Sequence, residues 1–192
     1  MTETAGTKLP TTSYAVLGML SFGQELSGYD LMKAIESSVG FFWSPAKSQV
    51  YAELRRLVAA GYATEREVSQ ETRPDKRLYA ITPAGEEALG AWLTQDDPEP
   101  EAFRSTFLIR LFFGHRMDPE QAAERVRAYR GYTEAMLARF RAIEQQIREQ
   151  APQQLNDYPH LTLTYGIAHS EAILEWCDQT LKELGRKKGG KR

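Results

Sequence analysis

Residues 44–85, SPAKSQVYAELRRLVAAGYATEREVSQETRPDKRLYAITPAG, constrain the fold more than any other part of the chain. They read as a helix, a glycine stop at Gly61, two strands over 63–69 and 76–81 around a QETRPD tip, and a new helix opened by Thr82-Pro83. Ser44 is the expected N-cap of the first of these helices and Pro45 its first helical residue, where a missing N–H costs nothing. Val50, Leu54, Leu57 and Val58 recur at the spacing of one buried face. Ser48, Ala52 and Arg55 fall roughly opposite, Tyr51 on the flank and Gln49 on the other side, with Lys47 in the first turn. A helix with a polar, small-residue N-terminal half, followed by a β-hairpin, has the outline of a winged helix-turn-helix. That fold places one helix in the DNA major groove and a β-ribbon against the phosphates.

The preceding residues agree with this outline. SYAVLGMLS (13–21) carries Val16, Leu17 and Leu20 at helical spacing, and Ser27 with Asp30 forms an S-x-x-D start for a second helix. Leu31, Ile35 and Val39 form the expected buried stripe of that helix, Gly40 its end, and Phe41-Phe42-Trp43 an aromatic plug before the next. The helix opened by Thr82-Pro83 is expected to end near Leu93. The acidic, proline-containing QDDPEPE (95–101) then marks a boundary. The organisation predicted is a winged helix-turn-helix domain over 1–94, a linker over 95–101, and a helical dimerisation or regulatory domain over 102–192 with a basic tail.

In the second half, the Phe- and Leu-rich stretch 103–114 is expected to be buried. Asp118-Pro119-x-Gln121 predicts a capping box with proline at the first helical position. A long helix follows, with a 4-3-4-3 seam of Ala122, Val126, Tyr129, Thr133, Met136, Phe140, Ile143 and Ile147. After a break at Pro152 and Pro159, Ile167, Ser170, Leu174, Cys177, Leu181 and Leu184 repeat the register. The terminal GRKKGGKR is expected not to continue the helix. Two seamed helices joined by a break suggest a hairpin, and surplus apolar surface on it suggests a homodimer. The fold class expected is therefore mainly α, with α+β character in the wing: an N-terminal winged helix-turn-helix and a C-terminal, coiled-coil-like α-helical dimerisation domain.

Composition limits the function classes. The 192 residues are 42% hydrophobic and 26% charged, a balance that suits packed domains. No apolar run approaches a membrane span, and the N-terminus carries no export signal. One cysteine, Cys177, allows no internal disulfide and no CxxC metal site. A reducing, cytoplasmic setting with no membrane, cofactor or metal is expected. No HExxH, GxSxG or P-loop occurs, and His115, His160 and His169 have no evident nucleophile partner, so no catalytic residue and no enzyme activity are expected. The net charge of −2 disfavours indiscriminate nucleic-acid binding. It leaves room for a local basic stripe of Arg55, Arg56, Arg73, Lys76 and Arg77, diluted by Glu65, Glu67 and Glu71.

SYAVLGMLS, SGYDLMKAIE, FWSPAKSQVYAELRRLVAAGYAT and KRLYAITPAG, in this order and spacing, resemble the PadR-like transcriptional regulators over about the first 90 residues. The Trp-x-Pro of Trp43 and Pro45, the recognition-helix Tyr51 and the R-x-Y-x-x-T-x-x-G pattern of 77–85 carry the resemblance. FLIRLFFG and EWCDQTLKEL resemble, by pattern, the virulence-activator-like helical domain of one branch. The resemblance implies a homodimer bound to an inverted-repeat operator in double-stranded DNA, usually as a repressor, with release by a small aromatic or lipophilic effector. Ala-Lys-Ser-Gln stands where many relatives carry a glycine-threonine or related pair, so operator sequence does not carry over.

The DNA-binding residues expected are Ser44, Lys47, Ser48, Gln49, Tyr51, Arg55, Arg73, Lys76 and Arg77. Gln49 is the candidate base reader, and Arg73, Lys76 and Arg77 are candidate phosphate contacts. Packing of Tyr51 against the second helix, and a merely solvated strand edge at the wing, are the competing readings. Trp43, Phe107, Phe112, Tyr165, His169 and Trp176 are candidates for an effector cavity between the domains, against the reading that they are core or dimer interface. Competing functions are a virulence-regulator-type activator that needs no effector and a winged-helix protein-interaction module. A MarR-type fold is disfavoured because its dimer helices flank the DNA-binding core on both sides.

Overall fold

The structure is a computed structural model that describes residues 9–69, 76–94 and 103–189. The chain divides into two compact units, Met1–Pro100 and Glu101–Arg192. The linker expected at 95–101, the hairpin tip with Glu71 and Arg73, and the last three residues of the basic tail lie outside the described residues. Among the described residues, no helix is long and apolar enough to cross a membrane.

The first unit contains α1 (Thr11–Leu20), β1 (Leu26–Ser27), α2 (Gly28–Ser37), α3 (Lys47–Ala59), β2 (Ala63–Val68), β3 (Lys76–Ile81) and α4 (Pro83–Leu93). The apolar stripes read from the sequence meet in one core: Val16, Leu17 and Leu20 of α1, Leu31 and Ile35 of α2, and Val50, Leu54 and Leu57 of α3 are all at most 1% exposed. The strands form an antiparallel sheet in the order β1-β3-β2, with Glu65 opposite Tyr79 and Val68 opposite Lys76. The two-residue β1 was not foreseen; Leu26 and Ser27 pair with Tyr79 and Leu78 and dock the wing onto the start of α2. Ser27 is the N-cap of α2, its hydroxyl accepting from the Asp30 N–H at 3.2 Å. Thr82 caps α4 in the same way, accepting from the Gly85 N–H at 3.1 Å.

Three local expectations change in this unit. α2 stops at Ser37, and Val39 lies in a 3-10 turn (Val39–Phe41), so Gly40 follows the end of the helix rather than making it. The aromatic plug is open: Phe42 and Trp43 are exposed. Ser44 is not the N-cap of α3, and Pro45 is not its first residue. Ala46, extended at φ −62° and ψ 145°, holds the N-cap position. The cause is tertiary. The Trp43 backbone N–H donates to Val39 O at 2.7 Å and its indole N–H to Thr12 Oγ1 at 3.3 Å, and residues 44–46 stay outside α3.

The second unit contains α5 (Thr106–Phe112), α6 (Pro119–Gln150) and α7 (Tyr158–Gly189). α6 and α7 pack along their length as a hairpin. The seam on α6 runs through Ala122, Val126, Thr133, Leu137 and Phe140, and that on α7 through Leu163, Ser170 and Cys177, spaced by sevens. The buried Thr133 hydroxyl donates to Tyr129 O at 3.0 Å, which satisfies the one polar residue of the expected seam.

Three expectations change here as well. No residue of α5 is buried, and Phe103 and Phe112 are 76% and 81% exposed. A two-turn helix offers one stripe to its unit: Phe107 and Leu111, one turn apart, are half-buried while their neighbours face outward. Asp118 is the N-cap of α6 with Pro119 following, but its side chain makes no capping hydrogen bond. α7 continues through Gly189, so the first part of the basic tail is helical. One glycine costs only about 1 kcal/mol in a helix, and cations suit a helix C-terminus.

Candidate nucleic-acid interface

α3 carries the first group of expected DNA-binding residues. Lys47, Ser48, Gln49 and Arg55 are exposed, while Val50, Leu54 and Leu57 on the other side are fully buried. Lys47 Nζ lies 6.0 Å from the centre of the Tyr51 ring, a cation–π approach. Neither Lys47 nor Arg55 has a carboxylate partner among the described residues. Ser44 lies outside the helix, in a shallow cleft of about 220 Å³ lined by Thr12, Phe42, Trp43, Ser44, Pro45 and Gln49.

Tyr51 is half-buried against α2. A side-chain carbon added to Gly28 would collide with its ring, so the close approach requires glycine there. Gln49 is tied to the protein at one atom, its Nε2 donating to Thr12 Oγ1 at 3.1 Å.

The wing cations are arranged differently. Lys76 Nζ lies 2.9 Å from Asp30 Oδ2, Arg77 Nη1 lies 3.1 Å from Glu65 Oε1, and Arg66 pairs with Glu25. The Ser27 hydroxyl, followed by Lys76, holds the Asp30 carboxyl below its usual range. These pairs are partly solvated and contribute little to stability. They do lower the net positive field of the wing while leaving the cations within reach of solvent. Arg73 lies outside the described residues.

Two residues central to this surface escaped the sequence reading. Glu53 is 5% exposed, accepts from the Ser13 hydroxyl at 2.5 Å and lies 3.4 Å from Arg56. Its signal was present, because position 53 stands three after Val50 and four before Leu57, on the buried face. A carboxylate there requires a partner. Thr12, 2% exposed, is the second.

The expected effector residues separate into groups. Phe107 stacks on Tyr129 at 4.2 Å and meets Trp176 edge-on at 6.1 Å. Burial pushes the neighbouring Tyr129 and Cys177 upward in pKa. Tyr165 stacks on His169 at 5.8 Å, and Phe112 meets Phe113 at 5.1 Å. Trp43 belongs to the first unit. Among the described residues, no group of His, Cys, Asp and Glu could hold a metal ion.

Comparison with known proteins gives matches to both units. Residues 16–91 match the transcriptional regulator PadR-like family, and residues 103–185 match the virulence activator alpha C-term family. The chain is 30% identical over 177 residues to the negative transcriptional regulator PadR of Bacillus subtilis, covering 90% of this chain and 97% of that one. The crystal structure of Bacillus subtilis PadR in complex with operator DNA is similar at a TM-score of 0.80 and 27% identity, over 91% of this chain and 99% of that chain. The same protein in complex with p-coumaric acid matches at 0.73 and 27%, over 93% and 99%. The Vibrio cholerae virulence activator AphA matches at 0.70 and 27%, over 92% and 99%. With this identity sustained along nearly the whole length, the chain belongs to the PadR-like family of transcriptional regulators.

Proposed function

We propose that the chain binds double-stranded DNA as a homodimer on an inverted-repeat operator and acts as a repressor. The N-terminal half of α3 enters the major groove, and the wing lies along the phosphates. The observation that carries this reading is the division of α3 into a fully buried apolar face and an exposed face with Lys47, Ser48, Gln49 and Arg55. Gln49 reads a base edge, Tyr51 and Ser44 flank it, and Lys47, Arg55, Arg73, Lys76 and Arg77 meet phosphates. Residues 1–94 form the DNA-binding domain and 102–192 the dimerisation and regulatory domain. The chain has no catalytic role and works in the cytoplasm.

A small aromatic effector releases the repressor in this reading. The Phe107–Tyr129–Trp176 cluster supports it, since its rings offer stacking faces within one unit. The likeness to AphA supports a second reading, an activator. A footprint separates the two: protection overlapping the promoter suits repression, and protection just upstream suits activation.

The direct test is a fluorescence-anisotropy titration on DNA upstream of the chain's own gene, over a salt series. Binding of a dimer to an inverted repeat, weakened steeply by salt, is expected. Absence of specific binding to this DNA and to a genomic-fragment pool at low salt overturns the reading in favour of a protein-interaction module.

The wing pairs add an expected result. Glu65→Gln frees Arg77 from its partner and removes one negative charge. DNA affinity should rise several-fold, with the salt slope steeper by about one per protomer. An unchanged affinity and slope would show that Glu65 does not hold Arg77 back from a phosphate.

A further inference from the structure

Thr12 and Ser13, neighbours in the first turn of α1, both reach the recognition helix. Ser13 Oγ donates to Glu53 Oε2 at 2.5 Å, and Thr12 Oγ1 accepts from Gln49 Nε2 at 3.1 Å and from Trp43 Nε1 at 3.3 Å. Thr12, Ser13 and Glu53 are 2%, 0% and 5% exposed. Gln49 and Glu53 stand one turn apart on α3, so two successive hydroxyls hold two successive turns of one helix face.

The two contacts constrain different things. Glu53 Oε2 accepts from the Ser13 hydroxyl, which fixes the roll of α3 against α1. Gln49 is exposed and would otherwise rotate freely about its terminal torsion. The hydroxyl oxygen of Thr12 holds one amide hydrogen and leaves Oε1 and the second Nε2 hydrogen unassigned. An adenine edge needs one acceptor and one donor from an amide.

We propose that Thr12, outside the recognition helix, is a positioning residue that sets the Gln49 amide and thereby the base preference of the protein. This rests on the reading of Gln49 as a base reader. Thr12→Val removes the hydroxyl at nearly constant volume and substitutes no DNA-facing residue; it also frees the Trp43 indole N–H. Thr12→Ser retains the oxygen.

The experiment selects sites from a randomised DNA pool with the full chain, then measures each variant against every single-base change in the selected half-site. Gln49→Ala is expected to flatten the preference at one position. Thr12→Val should flatten the same position by roughly tenfold, with affinity for non-specific DNA unchanged. Thr12→Ser should keep the preference, and the Thr12→Val/Gln49→Ala double variant should match Gln49→Ala alone.

If Gln49→Ala flattens a position and Thr12→Val lowers affinity uniformly or changes only thermal stability, the proposal fails while the Gln49 reading stands. If Gln49→Ala leaves the profile unchanged, the Gln49 reading fails and takes the proposal with it. Wild-type protein gives a readout independent of folding in the variants. One Gln49 Nε2 proton should exchange with water more slowly than the side-chain amide protons of other exposed glutamines, and equal rates would overturn the proposal.

Discussion

Gly85→Ala is expected to destabilise the first unit by about 3 kcal/mol, at the upper end of the usual cost of overpacking. Gly85 lies in the first turn of α4, where Thr82 caps the helix and also donates from its hydroxyl to Gly61 O at 2.7 Å. The Thr82 N–H meets Tyr62 O at 3.1 Å, drawing the start of α4 against the chain entering the wing. A methyl group on Gly85 would lie 2.9 Å from Ile81 Cγ1 and closer still to the Tyr62 carbonyl oxygen. Backbone on one side and a strand side chain on the other leave no easy relaxation. In a domain of this size the loss corresponds to roughly 10–20 °C in Tm.

Gly90→Ala, in the same helix, is the control. Nothing lies within 4 Å of an added carbon there, and helix propensity favours alanine by up to about 1 kcal/mol. Calorimetry of the full chain should show the two substitutions moving the transition in opposite directions. Equal, small shifts would mean that the contact between α4 and the wing yields readily.

These contacts show what periodicity reveals and what it hides. The buried face of α3, both wing strands and the Thr82 cap follow from local patterns, because apolar spacing and a capping hydroxyl act within a few residues. Ser44-Pro45 carries the same local signature as Thr82-Pro83, yet Ala46 is the N-cap, since Trp43 is anchored to Thr12 and Val39. β1 is two residues long and exists only because β3 lies beside it. α5 is apolar enough to suggest burial, but only one stripe of so short a helix meets its own unit. In the site, exposure of the recognition face was legible from spacing. The pairing of Lys76 with Asp30 and of Gln49 with Thr12 was not, because those partners are distant in sequence and brought together by the fold.

The larger expected effect on DNA binding comes from Lys47 and Arg55. Lys76, Arg77 and Arg66 already face carboxylates, so neutralising one of them removes a charge that is partly cancelled. Lys47 and Arg55 are exposed on the face proposed to enter the groove, with no carboxylate partner among the described residues. Their charge is therefore available to phosphates in full. In a dimer, Lys47→Gln/Arg55→Gln removes these two cations from each reading head. If each meets one phosphate, the salt slope should fall by about 3.6, and affinity at 0.1 M salt by roughly three orders of magnitude. Lys76→Ala/Arg77→Ala should cost less, because the charges removed are already partly cancelled by Asp30 and Glu65. Both residues of the first pair lie on the solvent side of α3, so thermal stability should change by no more than about 0.5 kcal/mol per site. A wing variant that weakens binding more than the helix variant would place the main phosphate contacts on the hairpin and reverse the assignment of roles within the winged unit.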